Sequence, residues 1–245
     1  MLTCPRILVA GLGGGSGKTI VSLGLARAFH ERGLKVQAYK KGPDYIDAKW
    51  LGLASHSITT NLDPFLLPSG VLHNLFWSKA LGSDLAIIEG NRGLYDGKDI
   101  HGTCSSAELA KMLSCPVVVV ADCTKVTRTM AAIILGLTAF DPLVDIRGVI
   151  LNRTAGCRHQ NILRQSIESY TNVKVLGVLP KLTENPIPER HMGLISDAEY
   201  ACDPFAQIAS FLRTHADLDA CLEVARSAPS ETGSCLSGTC SGGPP

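Results

Sequence analysis

The stretch "ILVAGLGGGSGKTIVSLGLARAF", residues 7–29, decides the reading of this chain. An apolar run enters a loop with five glycines within seven residues, and a helix-period segment leaves it after Lys18 and Thr19. Glycine loses more conformational entropy on ordering than any other residue, so such a loop marks a place where something must approach bare backbone. Strand, glycine loop and a helix opening on Lys-Thr describe a phosphate-binding loop. The backbone N–H groups of Gly13, Gly14, Gly15, Ser16 and Gly17 surround the phosphates, Lys18 neutralises them, and Thr19 offers its hydroxyl to Mg²⁺. The loop runs from Gly11 to Gly17, one residue longer than the commonest G-x4-G-K-T spacing. The sequence predicts a nucleoside triphosphate site.

Outward from this loop, short apolar runs alternate with helix-period segments. Residues 6–11, 35–39, 85–90, 116–122, 147–152 and 174–179 read as strands. Several are apolar throughout, as strands buried on both faces are. Residues 17–32, 105–113, 126–140, 158–170 and 204–213 read as helices. The alternation predicts an α/β fold, a mostly parallel sheet with helices on both faces. Ligands of such sheets sit at the carboxyl ends of the strands. Lys40, Lys41, Asp44, Glu89, Asp122 and Asn152 all follow strand ends. The segment 181–199 reads as a functional loop leading into a helix. From the composition, residues 1–226 form one domain and 227–245 a disordered Ser/Gly/Pro tail.

Composition excludes several function classes. The chain of 245 residues is 45% hydrophobic and 18% charged with a net charge of +1. That balance provides no bulk field for nucleic acid or anionic lipid, so an anionic ligand must be captured locally. No run approaches the roughly 18 apolar residues of a membrane span. The start lacks the layout of a signal peptide, which predicts a cytoplasmic location. Nine cysteines are scattered without a C-x-x-C pair and read as small buried hydrophobes plus a few surface thiols.

The acids beside the loop carry the chemistry. "YKKGPDYIDAKW" (39–50) sets Asp44 and Asp47 three apart behind two lysines, and "IIEGNRGLYDG" (87–97) runs from Glu89 to Asp96. A Mg²⁺ bound to phosphates takes one or two protein carboxylates plus a hydroxyl such as that of Thr19. Glu89 at a strand end is the natural first carboxylate, and Asp44 or Asp47 the second. Four acids beside one triphosphate exceed what simple hydrolysis needs and predict a second substrate.

In "GLGGGSGKT" (11–19), "KKGPDYID" (40–47), "NLDPF" (61–65), "EGNRGLYDG" (89–97), "GVILNR" (148–153) and "PERHMGL" (188–194), the chain resembles the cobyrinic acid a,c-diamide synthase family. That family is the amidotransferase branch of the dethiobiotin synthetase-like P-loop enzymes. The resemblance implies ATP- and Mg²⁺-dependent amidation of peripheral carboxylates on a tetrapyrrole through an acyl phosphate, by a ligase forming carbon–nitrogen bonds. It assigns Lys18 and Thr19 to phosphates and metal, with Asp47 and Glu89 completing the metal shell. It gives Lys40 the developing charge, and Asp44, Tyr45 and Asp96 the acceptor carboxylate and ammonia. Asn152 would read adenine, and Arg190 and His191 would contact ring carboxylates. It also allows a homodimer.

The family carries a C-terminal glutaminase domain for which this chain has no room, so either the chain is a fragment of a longer protein or ammonia comes from solution or a separate glutaminase subunit. Asn91 and Arg92 replace small or apolar residues, and Arg92 is placed to meet an extra carboxylate. A sirohaem or sirohydrochlorin-type ring is therefore the alternative substrate. Dethiobiotin-type carboxylation is opposed by G-P-D-Y-I-D. A partition-type switch ATPase is opposed by Gly13, which stands where that class carries a second lysine.

Overall fold

The computed structural model describes residues 1–182, 187 and 203–231. The strands are β1 (Arg6–Gly11), β2 (Val36–Lys41), β3 (Thr60–Leu62), β4 (Leu85–Glu89), β5 (Val117–Asp122), β6 (Ile146–Thr154) and β7 (Lys174–Pro180). Between and after them lie α1 (Lys18–Glu31), α2 (Tyr45–Ser55), α3 (Ser69–Ala80), α4 (Ser106–Met112), α5 (Thr129–Phe140), α6 (Cys157–Tyr170), α7 (Pro204–His215) and α8 (Leu218–Arg226). Among the described residues the seven strands form one sheet, every pairing parallel, in the order β3-β2-β4-β1-β5-β6-β7. The chain winds from β1 toward β3, returns to β4, and crosses β1 to reach β5. The strand order thus reverses at β1, where an open α/β sheet forms its crevice.

Alternation along the buried strands sorts their side chains into two cores. Ile7, Val9, Ile87 and Val118 pack with α1, α2, α7 and α8 on one face. Leu8, Ala10, Ile88 and Val119 pack with α3, α4, α5 and α6 on the other. Gly24 lets α1 approach α7 closely, since a Cβ there would fall 2.6 Å from Leu212 Cδ2.

Elements beyond the expected ones are α2, β3, α3 and α8. Asp44, expected in a strand-end loop, is the N-cap of α2, its carboxylate accepting the Ile46 and Asp47 N–H groups. Residues 227–231, assigned to the tail by composition, are ordered. Glu231 pairs backbone to backbone with Leu2, and the buried Arg6 guanidinium donates to the carbonyls of Cys4, Leu113, Ser114 and Pro229. Residues 232–245 lie outside the described residues.

Cys4, Cys115, Cys123 and Cys221 are buried in the cores. Burial pushes their thiols up, Cys4 to about 11 and Cys123 and Cys221 to about 12, so these four are packing groups rather than nucleophiles. Among the described residues no helix is long and apolar enough to cross a membrane.

Candidate nucleotide and acceptor site

The loop 12–17 leaves the carboxyl end of β1 and delivers the chain to the N-terminus of α1. Two of its glycines are required by the fold. A Cβ on Gly11 would lie 2.2 Å from Ser16 Oγ, and one on Gly17, at φ +98°, would lie 2.1 Å from Asn152 Nδ2. Gly13 and Gly14 are different: a Cβ on either meets nothing within 4 Å, and neither sits in the left-handed region. Nothing among the described residues needs them bare. An external group approaching the backbone does, and α1 presents its N-terminus there with no acidic side chain in its first turn. Ser16 Oγ is buried without a partner in the same cradle. We expect Gly14→Val to fold with an unchanged melting temperature while weakening ATP by at least about tenfold, some 1.4 kcal/mol, in a calorimetric titration.

Lys18 folds back across the loop, its Nζ 2.9 Å from the Gly13 carbonyl oxygen. Burial lowers its affinity for the proton, an effect the Glu89, Asp47 and Asp96 carboxylates oppose and Lys40 reinforces.

Sheet register builds the acidic side of the site. Glu89, the last residue of β4, is in register with Val9 of β1 and Lys40 of β2. Its Oε1 accepts from Thr19 Oγ1 at 2.7 Å and stands 3.0 Å from Lys40 Nζ, whose second carboxylate is Asp47 Oδ2 at 2.8 Å. Thr19, Glu89, Lys40 and Asp47 therefore form one continuous polar chain from α1 through the sheet to α2. Burial alone would strip the Lys40 proton, yet the Glu89 and Asp47 charges outweigh it and hold the ammonium above its ordinary range. Glu89 is fully enclosed, and burial pushes its carboxyl up against the pull of Lys40. Its Oε2 has no hydrogen-bond donor. A buried carboxylate oxygen without a donor, beside the loop hydroxyl, fits a cation-binding position.

Of the remaining expected residues, Asp96 lies in the loop that docks on the phosphate loop. Leu94 N–H donates to the Gly11 carbonyl at 2.8 Å, and Asp96 Oδ2 accepts the Gly93 N–H at 2.8 Å. Asn152, at the end of β6, is turned onto the phosphate loop: its Nδ2 donates to the Ser16 carbonyl at 2.9 Å. Its Oδ1 accepts the Arg153 N–H. Asp44 spends Oδ1 on the α2 cap. Tyr45 is 71% exposed at the first turn of α2. Arg190 and His191 lie outside the described residues. The site also contains the buried Lys41, expected at a strand end but given no role, and the buried Asp63, not expected from the sequence. Their signal was their position, immediately behind Gly42 and inside "NLDPF".

Residues 7–195 match the CobQ/CobB/MinD/ParA nucleotide binding domain family, CbiA. The "Cobyrinate a,c-diamide synthase" of Archaeoglobus fulgidus is 42% identical over 228 residues, 92% of this chain and 50% of that protein. The "Hydrogenobyrinate a,c-diamide synthase" of Streptomyces coelicolor is 41% identical over 227 residues, 91% of this chain and 46% of its own length. The chain thus spans about half the length of the curated relatives it matches. Among solved structures, FtsY from Mycoplasma mycoides superposes with a TM-score of 0.50 at 17% identity, covering 72% of this chain and 61% of that one, a likeness of fold alone. From the phosphate loop, the sheet order and the match over 7–195, the chain belongs to the CobQ/CobB/MinD/ParA nucleotide-binding domain family, in the part shared with cobyrinate a,c-diamide synthases.

Proposed function

We propose that this chain is the synthetase unit of a cytoplasmic tetrapyrrole amide synthase, using ATP, Mg²⁺ and ammonia to convert ring carboxylates into amides. The observation that supports this most is the Thr19–Glu89–Lys40–Asp47 chain beside an open phosphate loop, on a sequence whose curated relatives are named diamide synthases.

The chemistry needs charge management more than a nucleophile. A carboxylate is a poor electrophile toward ammonia. Its oxygen first attacks the γ-phosphorus of ATP while the bond to ADP breaks. Ammonia then attacks the acyl carbon of the resulting acyl phosphate, losing a proton as inorganic phosphate departs. The backbone from Gly13 to Gly17 receives the triphosphate, and Lys18 exchanges the Gly13 carbonyl for phosphate oxygens. Thr19, Asp47 and Glu89 would hold Mg²⁺, which when bound would supply charge neutralisation at the transferring phosphoryl group. Lys40, kept charged by two carboxylates, faces the charge that builds between acceptor and phosphorus. Asp44, Tyr45 and Asp96 orient acceptor and ammonia. Asn152 braces the phosphate loop through Ser16 as well as taking the adenine role its family position implies.

The test is product analysis. With ATP, Mg²⁺, ammonium chloride and cobyrinic acid, the chain is expected to release ADP and replace carboxyl by carboxamide, read by mass spectrometry. ADP release that proceeds at the same rate without any ring acid, and no amide from cobyrinic acid or sirohaem, rejects the proposal.

A further inference from the structure

Lys41 closes β2 directly after Lys40, and the two differ in one respect that packing does not explain. Alternation along the strand turns Lys40 toward α1 and α2 and Lys41 toward the opposite face. Lys40 has two carboxylate partners. Lys41 is only 8% exposed, yet among the described residues its ammonium has no hydrogen bond and no ion pair. Its electrostatic neighbours are Asp63, Cys104, Arg92 and Lys40, and burial pulls its proton affinity down. Of these neighbours Asp63 acts on it most strongly, but Asp63 Oδ1 accepts the Phe65 N–H and no hydrogen bond or ion pair joins Asp63 to the ammonium. The stem is buried while the ammonium keeps contact with solvent, so the charge is presented at the site without a protein partner.

Arg92 adds a second cation at the same place. It is exposed, with a left-handed φ of 51°, its N–H held by Asn91 Oδ1 at 2.9 Å. Asn91 in turn sits against Gly42, its Nδ2 3.5 Å from where a Cβ would stand. The loop after β4 therefore approaches the turn after β2, within range for the Arg92 charge to act on Lys41. Alternation puts the Lys41 side chain on the face of β2 away from the Lys40–Glu89–Thr19 contacts. Two cations, with Asp63 the one carboxylate that acts on Lys41 and not paired to it, form an anion site at the carboxyl crest of the sheet across β2 from Lys40.

We propose that Lys41 and Arg92 form a second carboxylate subsite, which anchors a non-reacting acidic side chain of the polycarboxylate substrate while another acid of the same molecule meets Lys40. This deepens the functional reading above and rests on it. It makes Lys41 a determinant of which ring, and how many free acids on it, the site accepts.

The test compares the full chain with its Lys41→Met and Arg92→Gln variants by titration with cobyrinic acid, with its methyl ester and with ATP, alongside thermal unfolding. Lys41→Met is expected to weaken cobyrinic acid by about 10- to 100-fold, in line with loss of one charge-assisted pair. ATP affinity should hold within about twofold. The melting temperature should stay level or rise, which a structural lysine would not allow. Arg92→Gln should cause a smaller loss in the same direction, and the preference for acid over ester should shrink in both. A wild type that binds ATP but no cobyrinic acid overturns the functional reading and this subsite with it. A wild type that binds while Lys41→Met binds equally well overturns the subsite alone. So does a Lys41→Met variant that loses ATP, ring and melting temperature together, since it would show Lys41 to be structural.

Discussion

Lys18→Ala should reduce ATP-dependent turnover by at least about three orders of magnitude, equivalent to some 4 kcal/mol of transition-state stabilisation. The size of the loss follows from the loop's construction. Its other contributions are neutral N–H groups, and the remaining nearby cation, Lys40, is bound to Glu89 and Asp47. Among the described residues no second ammonium stands free on the phosphate side. Fold stability should not follow activity down. The helix that carries Lys18 is anchored by Val21, Leu25 and Phe29, fully buried against the sheet. Burial depresses the Lys18 proton affinity, so the folded apo protein holds this charge at a cost at neutral pH. The variant is expected to melt no lower than wild type while releasing no ADP above background. Retention of turnover within about tenfold would remove Lys18 from the phosphate role.

Much of this site could be read from the sequence, because it sits where one-dimensional signals are strongest. The apolar runs "RILVAG", "LAIIE" and "PVVVVAD" are strands since both their faces are covered, and a parallel strand's ligand-facing residues come at its carboxyl end. The segments that sequence reading left as loops fail for identifiable reasons. Helix α2 begins inside the double-acid motif, where Asp44 and Asp47 look like ligands alone. Asp44 is also a cap, and Asp/x/x/Asp before Trp50 and Leu51 carried the helix-start signal. Strand β3 has three residues, too few for a period. In α3, Leu72, Phe76 and Ala80 fall at helical spacing, but the prolines and Ser69-Gly70 before them read as loop. The contact between Lys40 and Glu89 was not legible at all. It depends on β4 lying between β2 and β1, a fact of sheet order that sequence spacing does not contain. The same holds for Lys41, whose lack of a partner is visible only once the residues around it are placed.

Glu89→Gln separates stability from function at the centre of the site. In the wild type, Oε1 serves Thr19 and Lys40, while Oε2 is buried with no donor. Burial raises the Glu89 carboxyl, so the folded state binds the Glu89 proton more tightly than the unfolded chain does. The sign follows directly. A raised acid favours folding below its unfolded value, near 4.3, and that contribution is lost as pH rises through the higher folded value. As pH climbs through that folded value the apo wild type must ionise a half-partnered buried carboxylate at a cost. The amide variant never does, and Lys40 keeps Asp47. The melting temperature of Glu89→Gln relative to wild type is therefore expected to improve as pH is raised above about 4.3.

Activity should move the other way. With one of the two carboxylates proposed to hold Mg²⁺ gone, turnover should fall by at least about 100-fold, close to 3 kcal/mol. Ligand linkage makes the two effects readable in one experiment. Saturating Mg²⁺ and ATP raise the wild-type melting temperature by mass action, about 2.7 kcal/mol at a hundredfold excess over Kd. They should raise the variant's far less, so the order of stability inverts when nucleotide and metal are added. An equal Mg²⁺–ATP stabilisation in both proteins would place the metal away from Glu89. A variant less stable than wild type by the same margin at every pH would show that Glu89 holds the fold together rather than waiting, strained, for a cation.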